Sequence, residues 1–240
     1  MRQDLHVHTT FSDGENSPEE MVLSAISLGL DTIGFSDHSV DLYNPGIGIK
    51  NEREYKTEIR RLGEKYKSKI TVLCGIEQDY YSVCHAAGYD YIIGSVHNII
   101  LERGAFAVDE SAETTLAACA KYFGGDIYAL AEEYYRLVSD VAEKTKADII
   151  GHFDLLTKFN EKTPLFDESN PRYEAAWKSA ADNLLKYGIP FEINYGAITR
   201  GYRTTPYPSP QIRKYIASHG GRLIQCSDSH RADTIAYGFL

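Results

Sequence analysis

Arg2-Gln3-Asp4-Leu5-His6-Val7-His8 is a short alternating run that ends in two histidines one residue apart. In an extended strand residues i and i+2 project to the same side, so both imidazoles can face one cation. A β-like run followed by a ligand-type residue then recurs along the chain. His38 follows Asp31-Thr32-Ile33-Gly34-Phe35, Glu77 follows Ile70-Thr71-Val72-Leu73, His97 follows Tyr91-Ile92-Ile93-Gly94, and His152 follows Asp148-Ile149-Ile150. Asp228 and His230 come after Arg222-Leu223-Ile224-Gln225-Cys226. Positions so distant in sequence meet only if the strands run parallel and share one carboxyl-terminal rim. The pattern predicts a parallel α/β fold with a multinuclear metal site on that rim.

Strand-like runs near residues 3–8, 31–36, 70–76, 90–96, 147–151, 189–194 and 221–226 alternate with helical patterns, which is the form of repeated βα units and a barrel-like strand number. Ser17-Pro18-Glu19-Glu20 supplies an N-cap, a first-turn Pro and a capping-box Glu. Asn170-Pro171 and Ser209-Pro210 start two more helices, which Tyr187-Gly188 and His219-Gly220-Gly221 end. A charged helix is predicted over 51–67, a weaker one at 111–122, and one long helix from Asp126 to Thr145 with an apolar stripe through Ile127, Leu130, Tyr134, Leu137, Val138 and Val141.

The 240 residues, 43% hydrophobic and 25% charged, fit one domain over 1–240, since no linker or repeat interrupts them. The start lacks the apolar stretch of a signal peptide and no run is long enough to span a bilayer, so a cytoplasmic protein without a membrane partner is expected. Cys74, Cys84, Cys119 and Cys226 show no C-x-x-C pairing and read as reduced core residues. A formal net charge of −9 argues against a nucleic-acid groove but leaves room for small anionic substrates. It does not indicate an oligomeric state.

A lone histidine at a strand end is more often a hydrogen-bonded rim residue than a ligand. His85, in an Ala/Gly loop, and His219, in a helix's last turn, fit that ordinary role and are set aside. The other six histidines fall at strand exits together with Asp13, Glu77 and Asp228. Independent surface residues would not align in that way.

Taken together, these segments resemble the PHP (polymerase and histidinol phosphatase) domain. The opening Asp4-Leu5-His6-Val7-His8-Thr9-Thr10-Phe11-Ser12-Asp13-Gly14 is similar to its first motif, and Phe35-Ser36-Asp37-His38 to its second. Gly75-Ile76-Glu77, Gly94-Ser95-Val96-His97, Gly151-His152-Phe153-Asp154 and Ser227-Asp228-Ser229-His230 resemble the remaining motifs, in order. The resemblance implies a distorted (β/α)7 TIM-like barrel with the metals at the C-terminal ends of the strands. It implies two to three divalent ions: His6, His8 and Asp228 on the first, His97 and His152 on the second, Asp13, His38 and His230 on the third, and Glu77 bridging the first two. Mixed imidazole and carboxylate donors without cysteine suit Zn, Mn or Fe in an open site.

Within the family the chain looks most like the monofunctional histidinol-phosphate phosphatases, which implies hydrolysis of L-histidinol phosphate in histidine biosynthesis. The segment Phe191-Glu192-Ile193-Asn194-Tyr195-Gly196-Ala197-Ile198-Thr199-Arg200 resembles the strand and loop that bring an arginine to the phosphate, making Arg200 the expected contact. Lys158 stands where relatives usually carry arginine and is the second expected contact. Glu77, Asp228 and Arg200 are the expected catalytic groups. Asp37 and Asp154 are candidates for orienting ligand histidines, or for local caps. Asp79, Tyr80, Tyr81 and Glu102 are candidates for recognising the amine and imidazole. Asn98 replaces a histidine often seen after the Gly-Ser-Val-His motif, and relatives commonly run on past Leu240. One alternative is a PHP phosphoesterase for nucleotides or oligonucleotide ends, against which the acidic charge counts. Another is a non-catalytic metal-binding or regulatory domain, which would not need a complete open cluster.

Overall fold

The computed structural model describes residues 2–40, 43, 46–83 and 87–239. Its strands are β1 (Gln3–Asp4), β2 (Thr32–Phe35), β3 (Thr71–Asp79), β4 (Tyr91–Ser95), β5 (Asn98–Leu101), β6 (Gly104–Ala107), β7 (Ile149–Ile150), β8 (Phe191–Asn194) and β9 (Leu223–Cys226). Seven of them form one parallel sheet in the order β1-β2-β3-β4-β7-β8-β9, while β5 and β6 make a separate antiparallel hairpin. A parallel bridge between Val7 and Ser229 joins the two edges. It is held by His8 N–H to Ser229 O at 2.8 Å and Ser229 N–H to His6 O at 3.2 Å. The sheet thus nearly closes into the expected seven-stranded barrel, and its seam runs through the residues that carry the candidate ligands.

Helices α1 (Pro18–Ser27), α2 (Glu52–Tyr66), α3 (Ala112–Phe123), α4 (Ile127–Val138), α5 (Val141–Thr145), α6 (Pro171–Leu185), α7 (Gly196–Thr199) and α8 (Pro210–Ser218) lie between the strands. The Ser17 capping box forms as predicted: Glu20 N–H reaches the Ser17 hydroxyl, and Ser17 N–H donates to Glu20 Oε2 at 2.8 Å. Such a cap contributes about 1 kcal/mol. Among the described residues, no helix fills the β3–β4 connection. None is long and apolar enough to cross a membrane.

Two local expectations differ from the structure. The helix predicted from Asp126 to Thr145 is two helices, because the Ser139 hydroxyl donates back to Arg136 O at 2.7 Å and Asp140 leaves helical geometry at φ −118, ψ 9. Ser and Asp compete for nearby backbone groups and so break helices that apolar periodicity alone would continue. The buried stripe through Leu130, Tyr134, Leu137, Val138 and Val141 nevertheless runs across the break. The second difference is the β5–β6 hairpin, placed before the correctly anticipated α3, where Gly104 takes φ 143 to turn the chain.

The main core lies between sheet and helices, and a small third cluster of Leu5, Tyr91, Ile93, Ile149 and Cys226 fills the barrel's interior. Tyr91 packs across two glycines: a Cβ at Gly34 or Gly75 would come within 2.4 or 2.3 Å of its ring or hydroxyl. Its buried hydroxyl is satisfied by Leu5 O at 2.6 Å and Phe35 O at 3.1 Å. A satisfied tyrosine seals the amino end. Cys74, Cys119 and Cys226 are buried and unpaired, as expected; Cys84 lies outside the described residues.

Candidate metal centre

Backbone pairing carries the ligand segments past the formal strand ends. The β2–β3 pairing continues as a bridge between His38 and Glu77, with Ser39 N–H to Glu77 O at 2.8 Å. His97 O accepts Val108 N–H at 2.8 Å, which anchors the β5–β6 hairpin beside it. Asp13 is presented by a turn closed on Thr9, against whose amide nitrogen a Cβ at Gly14 would lie 2.6 Å away. Asp228 adopts φ 53, a left-handed conformation that Asp tolerates better than most residues.

The nine predicted ligand residues come together: five histidines lie directly against Glu77, and Asp13, Asp228 and His230 join the cluster through them. Glu77 Oε1 lies 2.9 Å from His152 Nε2 and 3.2 Å from His97 Nε2. Its Oε2 lies 2.8 Å from His38 Nδ1, 3.3 Å from His6 Nε2 and 3.6 Å from His8 Nε2. The two oxygens therefore face different histidines, as a bridging carboxylate requires. Asp228 Oδ1 is 3.2 Å from His8 Nε2, and Asp13 Oδ2 is 3.3 Å from His230 Nε2. Three groups have donor atoms within 4.8 Å of one another: His6, His8 and Asp228; His8, Asp13, His38 and His230; and His38, Glu77 and His97. The first matches the expected set. In the others His8 and His38 are shared, so the side chains do not divide as cleanly as the family pattern implies.

The donors fit divalent cations. No hydrogen bond of normal geometry reaches His6 Nε2, either ring nitrogen of His8, or Glu77 Oε2, although all are buried. Leaving such atoms unsatisfied costs about 1–3 kcal/mol each. Burial, reinforced by His230 and His38, pulls the His8 imidazole down to about 3, leaving it neutral and able to ligate. Burial opposes ionisation of Glu77, yet His38, His97 and His6 hold it well below the carboxylate range. Asp228 is likewise held well below, where Arg200 and His6 outweigh burial.

Sequence reading passed over Glu192 and Asn194. Glu192 Oε2 lies 2.8 Å from His6 Nδ1, and Oε1 accepts from His152 N–H and from Asn194 Nδ2 at 2.8 Å. Asp79, a candidate for substrate recognition, lines the cavity, with Oδ2 3.4 Å from His97 Nδ1, and accepts Tyr81 N–H at 2.9 Å. The available signal was parity: Asp79 follows Glu77 by two, and Glu192 and Asn194 alternate along a strand covered outside by helices, so their side chains fall on the lumen side.

The proposed orienting aspartates do not touch a histidine ring by hydrogen bond. Asp37 accepts Thr9 N–H at 2.7 Å and the Ser12 hydroxyl at 2.6 Å, fixing the loop that carries Asp13. Asp154 accepts Ser209 N–H at 2.8 Å at the start of α8. Neither is a local cap: each ties its strand end to a loop distant in sequence. Tyr80 and Tyr81 bond to Asp140 and the Ile100 backbone, and Glu102 sits in the exposed hairpin turn. His219 lies away from the cluster, stacked on Tyr215 with ring centroids 4.0 Å apart; His85 lies outside the described residues.

A cavity of about 680 Å³ opens over the cluster, lined by Asp13, His38, Glu77, His97, His152, Asp228 and His230 on one side. Lys158 and Arg200 also line it. Arg200 Nη2 lies 2.9 Å from Asp228 Oδ2, and its Nη1 is 2.9 Å from His230 Nδ1. Gly196 makes this approach possible, since a Cβ there would sit 2.3 Å from Asp228 Oδ2 and 2.6 Å from the guanidinium. Lys158 Nζ is held by Asp109 O at 2.8 Å and Asp109 Oδ2 at 3.2 Å. Arg203 is buried, with its guanidinium carbon 4.5 Å from the Tyr207 ring centroid.

The profile of the PHP domain matches residues 4–196. A "Probable histidinol-phosphatase" of Deinococcus radiodurans is 28% identical over 252 residues, covering 98% of this chain and 89% of the relative. A crystal structure from Listeria monocytogenes, provisionally named a histidinol phosphatase, superposes with TM-score 0.83 at 20% identity over 99% of this chain and 98% of that one. The histidinol phosphate phosphatase of Lactococcus lactis, crystallised with Zn, L-histidinol and phosphate, gives TM-score 0.70 at 24% identity over 96% and 87% of the two chains. At these identities the two structures establish the shared fold.

Proposed function

The chain belongs to the PHP domain family, and on that premise we propose that it hydrolyses a small phosphate monoester, L-histidinol phosphate, to L-histidinol and phosphate. The centre would take two to three divalent ions, Zn, Mn or Fe. His6, His8 and Asp228 would hold the first, His97 and His152 the second, and Asp13, His38 and His230 the third, with Glu77 serving the first two. When bound, the ions supply Lewis acidity toward phosphoryl oxygens and a means of activating water near neutral pH.

The chain's own residues do the rest. Arg200 is a third exposed to the cavity (33%) while Asp228 anchors its Nη2, so remaining N–H donors can meet phosphate without a search through rotamers. Charge developing on the transferring group is then met by a preplaced cation. Lys158 contributes less, because reaching phosphate means leaving Asp109. His6, His8, Glu77 and Asp228 are buried at the base of the cavity, where electrostatic interactions are screened less than in bulk water.

The observation that carries this reading is the convergence of nine ligand-type side chains, seven of which line one cavity that also presents Arg200. Kinship with proteins named histidinol-phosphatase supports the choice of substrate. The test is phosphate release from histidinol phosphate, mononucleotides and sugar phosphates by protein loaded with Mn or Zn. Histidinol phosphate should give the highest kcat/KM; a mononucleotide in first place, or no turnover at all, would overturn the assignment.

A further inference from the structure

Beneath the ligand ring lies a fully buried carboxylate outside the proposed ligand set. Glu192 faces donors on both oxygens: His6 Nδ1 at 2.8 Å on Oε2, and His152 N–H with Asn194 Nδ2 on Oε1. Asn194 extends the chain, its amide nitrogen reaching Asp228 Oδ2 at 3.2 Å and its Oδ1 accepting Gly196 N–H at 2.9 Å. One side chain therefore touches a ligand histidine's ring, a second ligand histidine's backbone and, through one amide, a ligand aspartate.

We infer that Glu192 is a positioning residue that fixes His6 with its proton on Nδ1 and holds the His6 and His152 arms in register on either side of Glu77. This rests on the metal-centre reading above. A ligating imidazole must offer a bare nitrogen, and the partner of its other nitrogen decides which one is bare. With Nδ1–H given to Glu192, His6 Nε2 is left facing Glu77 Oε2 at 3.3 Å and Asp228 Oδ1 at 3.7 Å. An amide of equal size cannot replace the carboxylate. Glutamine presents one acceptor and one donor, so either His6 loses its acceptor or the His152 and Asn194 donors meet an NH2 group.

Metal-stripped wild type, Glu192→Gln and the control His219→Ala would be titrated with zinc against a chromogenic chelator. Imidazole 15N spectra of the zinc-loaded wild type would be recorded in parallel. Glu192→Gln should bind at least one ion about 10- to 100-fold more weakly while His219→Ala matches wild type, and His6 should carry its proton on Nδ1. Unchanged zinc affinity in Glu192→Gln, or ligation of His6 through Nδ1, would overturn the inference. The spectra need no variant, so a Glu192→Gln protein that fails to fold leaves that arm of the test intact. Wild type that takes up no zinc would sink both this inference and the function beneath it, whereas normal wild-type loading with unchanged loading in Glu192→Gln would sink this inference alone.

Discussion

The two ends of the barrel are built from the same strands and solve opposite problems. At the amino end Leu5, Tyr91, Ile93, Ile149 and Cys226 pack together, and the one buried hydroxyl among them finds two carbonyls. At the carboxyl end His6, His8, Glu77 and Asp228 are as deeply buried, yet His6 Nε2, both His8 nitrogens and Glu77 Oε2 lack hydrogen bonds. The first end is complete in itself and contributes stability. The second is complete only with cations, so binding energy rather than packing must hold its charges together.

That contrast is open to attack, and removing the ions is the strongest way. Chelation should abolish phosphatase activity and lower Tm, since ions that bind only the folded state stabilise it; an unchanged melting curve with full activity would erase the distinction between the ends. Next, Glu77→Gln should cut kcat/KM by at least about 100-fold, because an amide supplies neither the second anionic oxygen nor the charge that a bridge needs. Activity surviving in that variant would mean the strand-end alignment is misread.

Arg200→Ala should lower kcat/KM for histidinol phosphate by roughly one to three orders of magnitude with metal content unchanged, and Arg200→Lys should restore only part. Equal losses of metal and activity would place Arg200 in support of Asp228 and leave Lys158 as the next residue to test. At the other end, Gly75→Ala should cost about 1–3 kcal/mol of stability through collision with Tyr91 while sparing kcat of the folded fraction. A normal denaturation midpoint would show the floor to be looser than described. The smallest effect belongs to His219→Ala, within about 0.5 kcal/mol of wild type and fully active.

The upper end was the more legible in sequence. His6, His38, Glu77, His97, His152 and Asp228 each follow a β-like run, so type and position agree, and parallel topology follows from their having to meet. Glu192 and Asn194 escaped because polar residues alternating in a strand look like a solvent face; only once helices cover the outside does that alternation point into the lumen. The Ser139-Asp140 break was hidden by an apolar stripe that crosses it. Arg200's attachment to Asp228 could not be read at all, since it depends on a missing Cβ at Gly196 and a left-handed Asp228. Those are consequences of tertiary closure, not of local pattern.

Nine ligand-type side chains with Glu77 among them need several ions to hold their charges together. Elemental analysis of fully active protein, normalised to chain concentration after exchange into metal-free buffer, tests this most directly. Two to three divalent ions per chain are expected; full activity with one ion or none would rule out a multinuclear centre.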